Sequence, residues 1–355
     1  MHGQRPRQFA LQLPRERARA FDDGHQHRRI VAQVARDPPR QLGDAAQDLL
    51  VVEQHAERRG GRRQGEVLAA GAAERAGAVE TARRDDTLCA GARNTPPAML
   101  THHYGHQVHV LDDPFLLTLL ARLGAPETGT EAVPTLVRAA YHRMLQEVLS
   151  REFPVVPGRV PSRMAATEPR AFYQGPVLCR DTRLVLCAVI RAGILPSQTC
   201  YESATAVLPP PNVRIDFLNL SRVTNEAHQV VGVRLDGSKI GGSVDGAVLL
   251  IPDPMGATGG TVCRAVDVYK ALGEGRPRAI VAMHLMITPE TILRVQHAHP
   301  DVRIYAARLD RGLSPPEVLR SAPGLHKDRE RGLNDQQYVV PGAGGLGELL
   351  TNSWV

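Results

Sequence analysis

The stretch from Val248 to Thr261 carries the residues best suited to chemistry: an apolar run, then Asp253-Pro254-Met255-Gly256-Ala257-Thr258-Gly259-Gly260-Thr261, then a helical pattern. Gly259 and Gly260 lack Cβ atoms, so successive backbone N–H groups can turn toward one anion, while Thr258 and Thr261 add hydroxyl donors. The start of the following helix favours negative charge. Such a loop would hold a 5′-phosphate monoester. Asp253, at the carboxyl end of its strand, is placed to accept hydrogen bonds from the vicinal hydroxyls of a ribose just beyond that phosphate. Taken alone, the pattern also fits an ordinary strand-to-helix turn in which the glycines give tightness and Asp253 is a cap.

Two arginines stand in comparable places. Val189-Ile190-Arg191-Ala192-Gly193-Ile194 follows another apolar run, and a planar, always-charged guanidinium there could grip two oxygens of a diphosphate at once. Arg222, in Leu220-Ser221-Arg222-Val223-Thr224-Asn225-Glu226, is a candidate of the same kind or a plain surface arginine at a strand end. Near the C-terminus, Gln337-Tyr338-Val339-Val340-Pro341-Gly342-Ala343-Gly344-Gly345-Leu346-Gly347-Glu348 is rich in glycine and offers backbone donors and acceptors that survive drift in side chains.

With Asp-Pro-Met ahead of Thr-Gly-Gly-Thr, the first stretch closely resembles the ribose-phosphate signature of the uracil phosphoribosyltransferase family, Asp-Pro-Met-x-Ala-Thr-Gly-Gly-Ser/Thr. The Arg191 stretch resembles that family's Leu-Arg-Ala-Gly diphosphate loop. Arg222 looks like its second diphosphate arginine, although Val223 and Thr224 interrupt the family's Tyr-Arg-Asn-Glu-Glu-Thr context. The C-terminal stretch is similar to Gly-Tyr-Ile-Ile-Pro-Gly-Leu-Gly-Asp-Ala-Gly-Asp-Arg, which reads the nucleobase largely through backbone groups.

The resemblance implies a type I phosphoribosyltransferase fold and transfer of the phosphoribosyl group of 5-phosphoribosyl 1-diphosphate to N1 of uracil, giving UMP and diphosphate. It further implies Mg²⁺ as cofactor, Asp253 and Arg191 as the catalytic residues, and a donor held by Arg191, Arg222 and Asp253 to Thr261. Uracil would lie around Val339, Gly344, Gly345 and Leu346, and a homo-oligomer is expected.

Departures from the family's pattern keep two other readings open. Gly345 stands where the family has an aspartate linked to substrate and magnesium, Glu348 replaces a second aspartate, and the following arginine is absent. Such a chain could be a metabolite sensor with weakened turnover, or a phosphoribosyltransferase for another base. Asp310-Arg311-Gly312-Leu313 and Glu330-Arg331-Gly332-Leu333-Asn334 both look like the family's single Asp-x-Gly-Leu-Asn. The insertion at about 314–329 is expected as a loop beside the site.

These residues need a scaffold, and the pattern supplies one. Near-continuous apolar runs at Leu184 to Ile190, Val213 to Leu218, Ala247 to Pro252, Ala279 to Ile287 and Val302 to Ala307 predict buried strands of a mostly parallel sheet. Helical periodicity falls between them, at Val262 to Leu272 and Pro289 to Ala298. Ahead of them, Asp112-Asp113-Pro114 caps a helix through Leu123, and Val133, Leu136, Val137, Ala140, Met144, Leu145 and Val148 form a 3.6-residue stripe. The expected fold is an open α/β sheet with flanking helices and right-handed crossovers.

Composition divides the chain near residue 98. Phe9 and Phe21 are the only aromatics before Tyr104, and arginine-glycine runs such as Arg58 to Arg63 dominate. Residues 1–98 are therefore expected to be a disordered tail, or to precede a true translation start at Met99, with residues 99–355 forming the phosphoribosyltransferase domain. A net charge of +6 does not call for nucleic acid, and no apolar run has membrane-spanning length. The five cysteines show no metal-site or disulfide spacing and suit a reducing, cytoplasmic setting. His102, His103, His106 and His109 lack matching carboxylates and read as a chain edge rather than a metal site. Deleting residues 1–98 should leave the melting temperature and the turnover unchanged; calorimetry and rate assays on the truncated and full chains test this.

Overall fold

The computed structural model describes residues 98–224 and 230–353. The expected tail lies outside these residues except at its last position, as do Asn225 and Glu226.

The main sheet has the order β1 (Ala98–Met99), β2 (Val108–Asp112), β11 (Val302–Leu309), β10 (Ala279–Ile287), β8 (Val248–Pro252), β5 (Leu184–Ile190), β6 (Val213–Thr224) and β7 (Val230–Lys239). From β2 to β6 every neighbour is parallel, and the sheet turns antiparallel at both edges. A two-residue strand, β9 (Met255–Gly256), adds to β10 beyond the end of β8. The expected strand at 213–218 runs on to Thr224 because β7 satisfies its outer edge. A separate hairpin of β3 (Val155–Pro161) and β4 (Phe172–Leu178) stands apart from the sheet.

Alternate residues of each central strand feed opposite cores. Leu184, Leu186, Val248, Leu250, Val281 and Met283 pack under α1 (Pro114–Leu123), α2 (Val133–Glu152) and α3 (Ile194–Thr205). Val185, Cys187, Leu249, Ile251, Ile280 and Ala282 pack under α4 (Gly260–Leu272) and α5 (Pro289–Ala298). A one-residue slip would exchange the two sets, so the double-sided burial fixes the register. The helices start where their caps dictate. Asp113 accepts from the Phe115 amide at 2.9 Å with Pro114 as the first helical residue, and Thr288 accepts from Thr291 N–H at 3.1 Å.

The insertion does not line the central cleft. The Leu313 amide donates to the Arg331 carbonyl at 3.1 Å and closes residues 314–329 into a loop that contains α6 (Pro316–Leu319). Glu330, 1% exposed, pins that loop from inside: it accepts from Arg311 at 3.1 Å, from Gly324 N–H at 2.7 Å and from the Tyr104 hydroxyl. The His103 amide adds a bond to Pro323 O at 2.7 Å, so the insertion is packed against residues 103–104 instead of the site. Removing one member of a buried, hydrogen-bonded charge pair typically costs about 3–5 kcal/mol, and a neutral hydroxyl about 1 kcal/mol. Glu330→Ala should therefore lower urea-derived stability by about 3 kcal/mol and Tyr104→Phe by about 1 kcal/mol.

Candidate functional site

At the carboxyl edge of the parallel strands lies a cleft of about 740 Å³, a size that suits a phosphorylated sugar with a base. Arg191, Arg222, Asp253, Met255, Gly256, Ala257, Thr258, Gly259, Thr261, Val339, Gly344, Gly345 and Leu346 all line it. Residues from four separate parts of the sequence thus meet in one space. Pro254 and Gly260 do not reach it. The Pro254 carbonyl is tied to the amides of Leu285 and Met286 at 3.1 and 3.2 Å, and Gly260 is buried as the first residue of α4.

The loop after β8 is shaped from behind. The carbonyls of Gly256 and Ala257 accept from Thr288, from N at 3.0 Å and Oγ1 at 2.6 Å, and the Thr258 carbonyl accepts from Arg294 at 3.3 Å. With its carbonyls turned back onto β10 and α5, the loop leaves the amides of Gly259, Gly260 and Thr261 without an acceptor among the described residues. This is the open helix start that an anion requires. Gly259 has φ +74°, and a Cβ there would come 3.2 Å from the Thr291 carbonyl oxygen, so only glycine fits without strain.

Asp253 follows β8, with its amide bonded to Met283 O at 3.0 Å. Burial pushes its carboxyl above the ordinary aspartate value, opposed by His284, the Met255 amide and Arg222. Arg191 follows β5 through a cis peptide bond, and its guanidinium donates to Ser353 O at 3.1 Å and to Ser353 Oγ at 2.6 Å. Gly193 permits the tight turn behind it, since a Cβ would meet the Val189 and Pro252 backbones at 2.8 to 3.0 Å. Arg222 sits exposed on β6 across the cleft.

The C-terminal wall is stitched to β11 by Asp310, whose carboxylate accepts from Gly342 N–H at 2.8 Å, and by the Gly312 amide on Val340 O at 3.0 Å. It continues into α7 (Leu346–Thr351). Asn219, Val233, Tyr338 and His284 also line the cleft without having been singled out in the sequence. For His284 a signal existed, as the one ionisable residue in the apolar run Ala279–Ile287.

Among the described residues, no three His, Cys, Asp or Glu side chains gather into a metal cage. Mg²⁺ typically takes one or two protein carboxylates and completes its shell with water and phosphate oxygens. Asp253 and Glu348 both line the cleft, so the donor set fits an ion that arrives with a diphosphate.

A mostly parallel sheet with helices on both faces and a phosphate-type loop at its carboxyl edge defines a type I phosphoribosyltransferase-like protein. The family model for uracil phosphoribosyltransferase matches residues 110–326, and the chain belongs to that family. Curated relatives agree. The uracil phosphoribosyltransferase of Shouchella clausii is 29% identical over 246 residues, 69% of this chain and 97% of that protein. The enzyme of that name from Burkholderia thailandensis is 27% identical over 241 residues, 68% of this chain and 93% of the other. Among solved structures, the AQ2163 protein from Aquifex aeolicus overlays with a TM-score of 0.52 at 21% identity, covering 68% of this chain and 97% of that one, a likeness of fold. Family and fold together support transfer of a phosphoribosyl group to a base.

The raised carboxyl of Asp253 fixes the sign of a test. Ionising a group whose folded value lies above its unfolded value near 3.8 costs folding stability as pH rises through the window that opens at the unfolded value. Asp253→Asn should therefore melt no lower than the parent at pH 7, with the difference shrinking as pH falls through the window, while steady-state turnover collapses. Equal rates would remove Asp253 from the site.

Proposed function

We propose that the protein transfers the phosphoribosyl group of 5-phosphoribosyl 1-diphosphate to uracil, forming UMP and releasing diphosphate. The observation that carries this reading is the convergence on one cleft of the phosphate loop, Asp253, Arg191, Arg222 and the backbone-rich wall at 337–348. In this reading the loop amides and Thr258 hold the 5′-phosphate, Asp253 holds the ribose hydroxyls, and the arginines face the diphosphate. Bound Mg²⁺, held by a carboxylate of the cleft and by donor oxygens, would supply positive charge to the leaving group. The chain's own work is positioning and electrostatics about C1′, where charge develops as the bond to diphosphate breaks. A reducing cytoplasmic setting and self-association belong to the same proposal. Support for the latter is the hairpin of β3 and β4, which exposes Val155, Val160 and Tyr173; no helix among the described residues is long and apolar enough to cross a membrane.

Gly345 and the engagement of Arg191 by Ser353 favour a second reading, a metabolite sensor that keeps the donor site with reduced turnover. Glu348 argues against it. Gly345 has φ −82°, so it is not kept for left-handed backbone, a role that falls to Gly344 at φ +68°. A Cβ at 345 would instead run into Glu348 Oε2, with Cδ 2.9 Å away. The Glu348 side chain folds back over Gly345, and its carboxylate fills the space where an aspartate side chain at 345 would begin. The carboxylate missing at one position is returned from the next turn of chain.

An assay with the donor and a panel of uracil, cytosine, orotate and purines separates the readings. Turnover confined to uracil supports the proposal, turnover with another base changes the substrate, and donor binding without turnover selects the sensor. Glu348→Gln should lower turnover by about tenfold, the scale of one charge-assisted contact. Gly345→Ala, which displaces Glu348, should do the same. Gly345→Asp combined with Glu348→Ala should recover most of the loss.

A further inference from the structure

Among the described residues, three buried side-chain polar atoms have no hydrogen-bond partner: Ser197 Oγ, Arg264 Nε and His284 Nε2. Of these residues, His284 alone lines the cleft. It is fully buried on β10, beneath the turn that carries Asp253, and a Cβ at Gly256 would touch its ring at 3.2 Å. Nδ1 lies 2.6 Å from the Asp253 carbonyl oxygen. A carbonyl only accepts, so Nδ1 carries the proton. With Nδ1 donating and the ring fully buried, Nε2 is the nitrogen left to present a lone pair. A buried acceptor left without a donor is costly and calls for a ligand that completes it.

The character of the atom narrows the ligand. A neutral imidazole lone pair has nothing to offer a phosphate or diphosphate, and Mg²⁺ prefers oxygen. A hydroxyl suits it. Asp253, whose backbone carbonyl the ring holds, lines the same cleft with its carboxyl, so the two residues offer acceptors to the hydroxyl donors of one ligand.

We propose that His284 Nε2 accepts a hydrogen bond from one vicinal hydroxyl of the phosphorylated pentose, the other hydroxyl being held by Asp253. This rests on the reading of the cleft as a phosphoribosyl donor site. His284 then selects ribose over deoxyribose sugars and fixes the ring's rotation about the phosphate anchor.

The test measures binding of ribose 5-phosphate, 2-deoxyribose 5-phosphate and 3-deoxyribose 5-phosphate to the full chain by calorimetry. His284→Asn keeps an N–H for the Asp253 carbonyl and removes the acceptor at Nε2; His284→Gln places an amide near the Nε2 position. The parent should prefer ribose 5-phosphate over each deoxy sugar. His284→Asn should erase about fivefold of that preference for one deoxy sugar, the scale of one neutral hydrogen bond, and leave the other intact. His284→Gln should retain part of it. Should neither variant show a cooperative melt, the parent labelled with ¹⁵N-histidine decides: the Nε2 resonance of His284 should shift with ribose 5-phosphate and not with one of the deoxy sugars. Unchanged discrimination in His284→Asn, or an Nε2 resonance indifferent to all three sugars, overturns the proposal while leaving the donor site standing. Failure of the parent to bind ribose 5-phosphate overturns the donor-site reading, and this inference with it.

Discussion

Strand β10 outruns β8, and the site depends on that difference in length. Beyond Pro252 the β8 chain leaves the ladder, yet β10 continues to Ile287 and keeps offering backbone groups to it. Met283 O takes the Asp253 amide, the amides of Leu285 and Met286 take Pro254 O, and Thr288 N takes Gly256 O. The turn is thus built like a strand on one side and like an anion site on the other. Its rigidity comes from the buried middle of the sheet, which is where a loop that must hold a small anion in one geometry gains most from its scaffold.

The same packing places a carboxyl and an imidazole side by side in a poorly solvated space. Each opposes the shift that burial imposes on the other, Asp253 upward and His284 downward. Neither arrangement favours folding: a carboxyl whose ionisation burial opposes and a lone pair without a donor are both destabilising. Proteins keep such features where binding relieves them, and here the ligand chemistry that would do so is one of hydroxyl donors. Folding stability and ligand affinity are therefore set against each other at two adjacent residues.

The core of this arrangement was legible because it is written in local pattern. The double-sided strands Leu184 to Ile190 and Ala279 to Ile287 and the helix Pro289–Ala298 stand where apolar runs and a Pro start put them, and the Asp253 to Thr261 loop follows its strand. The illegible parts lack an apolar signature. The residues of β3 and β4 are exposed on both faces and contain Pro and Gly, so alternation never develops. Helix α3 buries Pro196, Ser197, Thr199 and Cys200, a polar stripe that hydrophobic periodicity misses. Family-like sequence on its flanks puts the insertion beside the site, whereas its position is set by a buried glutamate contacting Tyr104, 226 residues away in the chain. Glu348 was visible as a departure, but its folding back over Gly345 is a matter of side-chain direction, which spacing alone does not give.

The grip of Arg191 on Ser353 makes the segment after α7 a competitor for that guanidinium. In the proposed donor site, an incoming diphosphate would meet this guanidinium already solvated by a carbonyl and a hydroxyl, so its intrinsic affinity would be multiplied by the fraction of molecules in which Ser353 has let go. Affinity becomes a property of the tail as well as of the pocket. A change at Ser353 would alter the apparent binding of such a ligand by shifting that fraction, without touching the phosphate loop or Asp253.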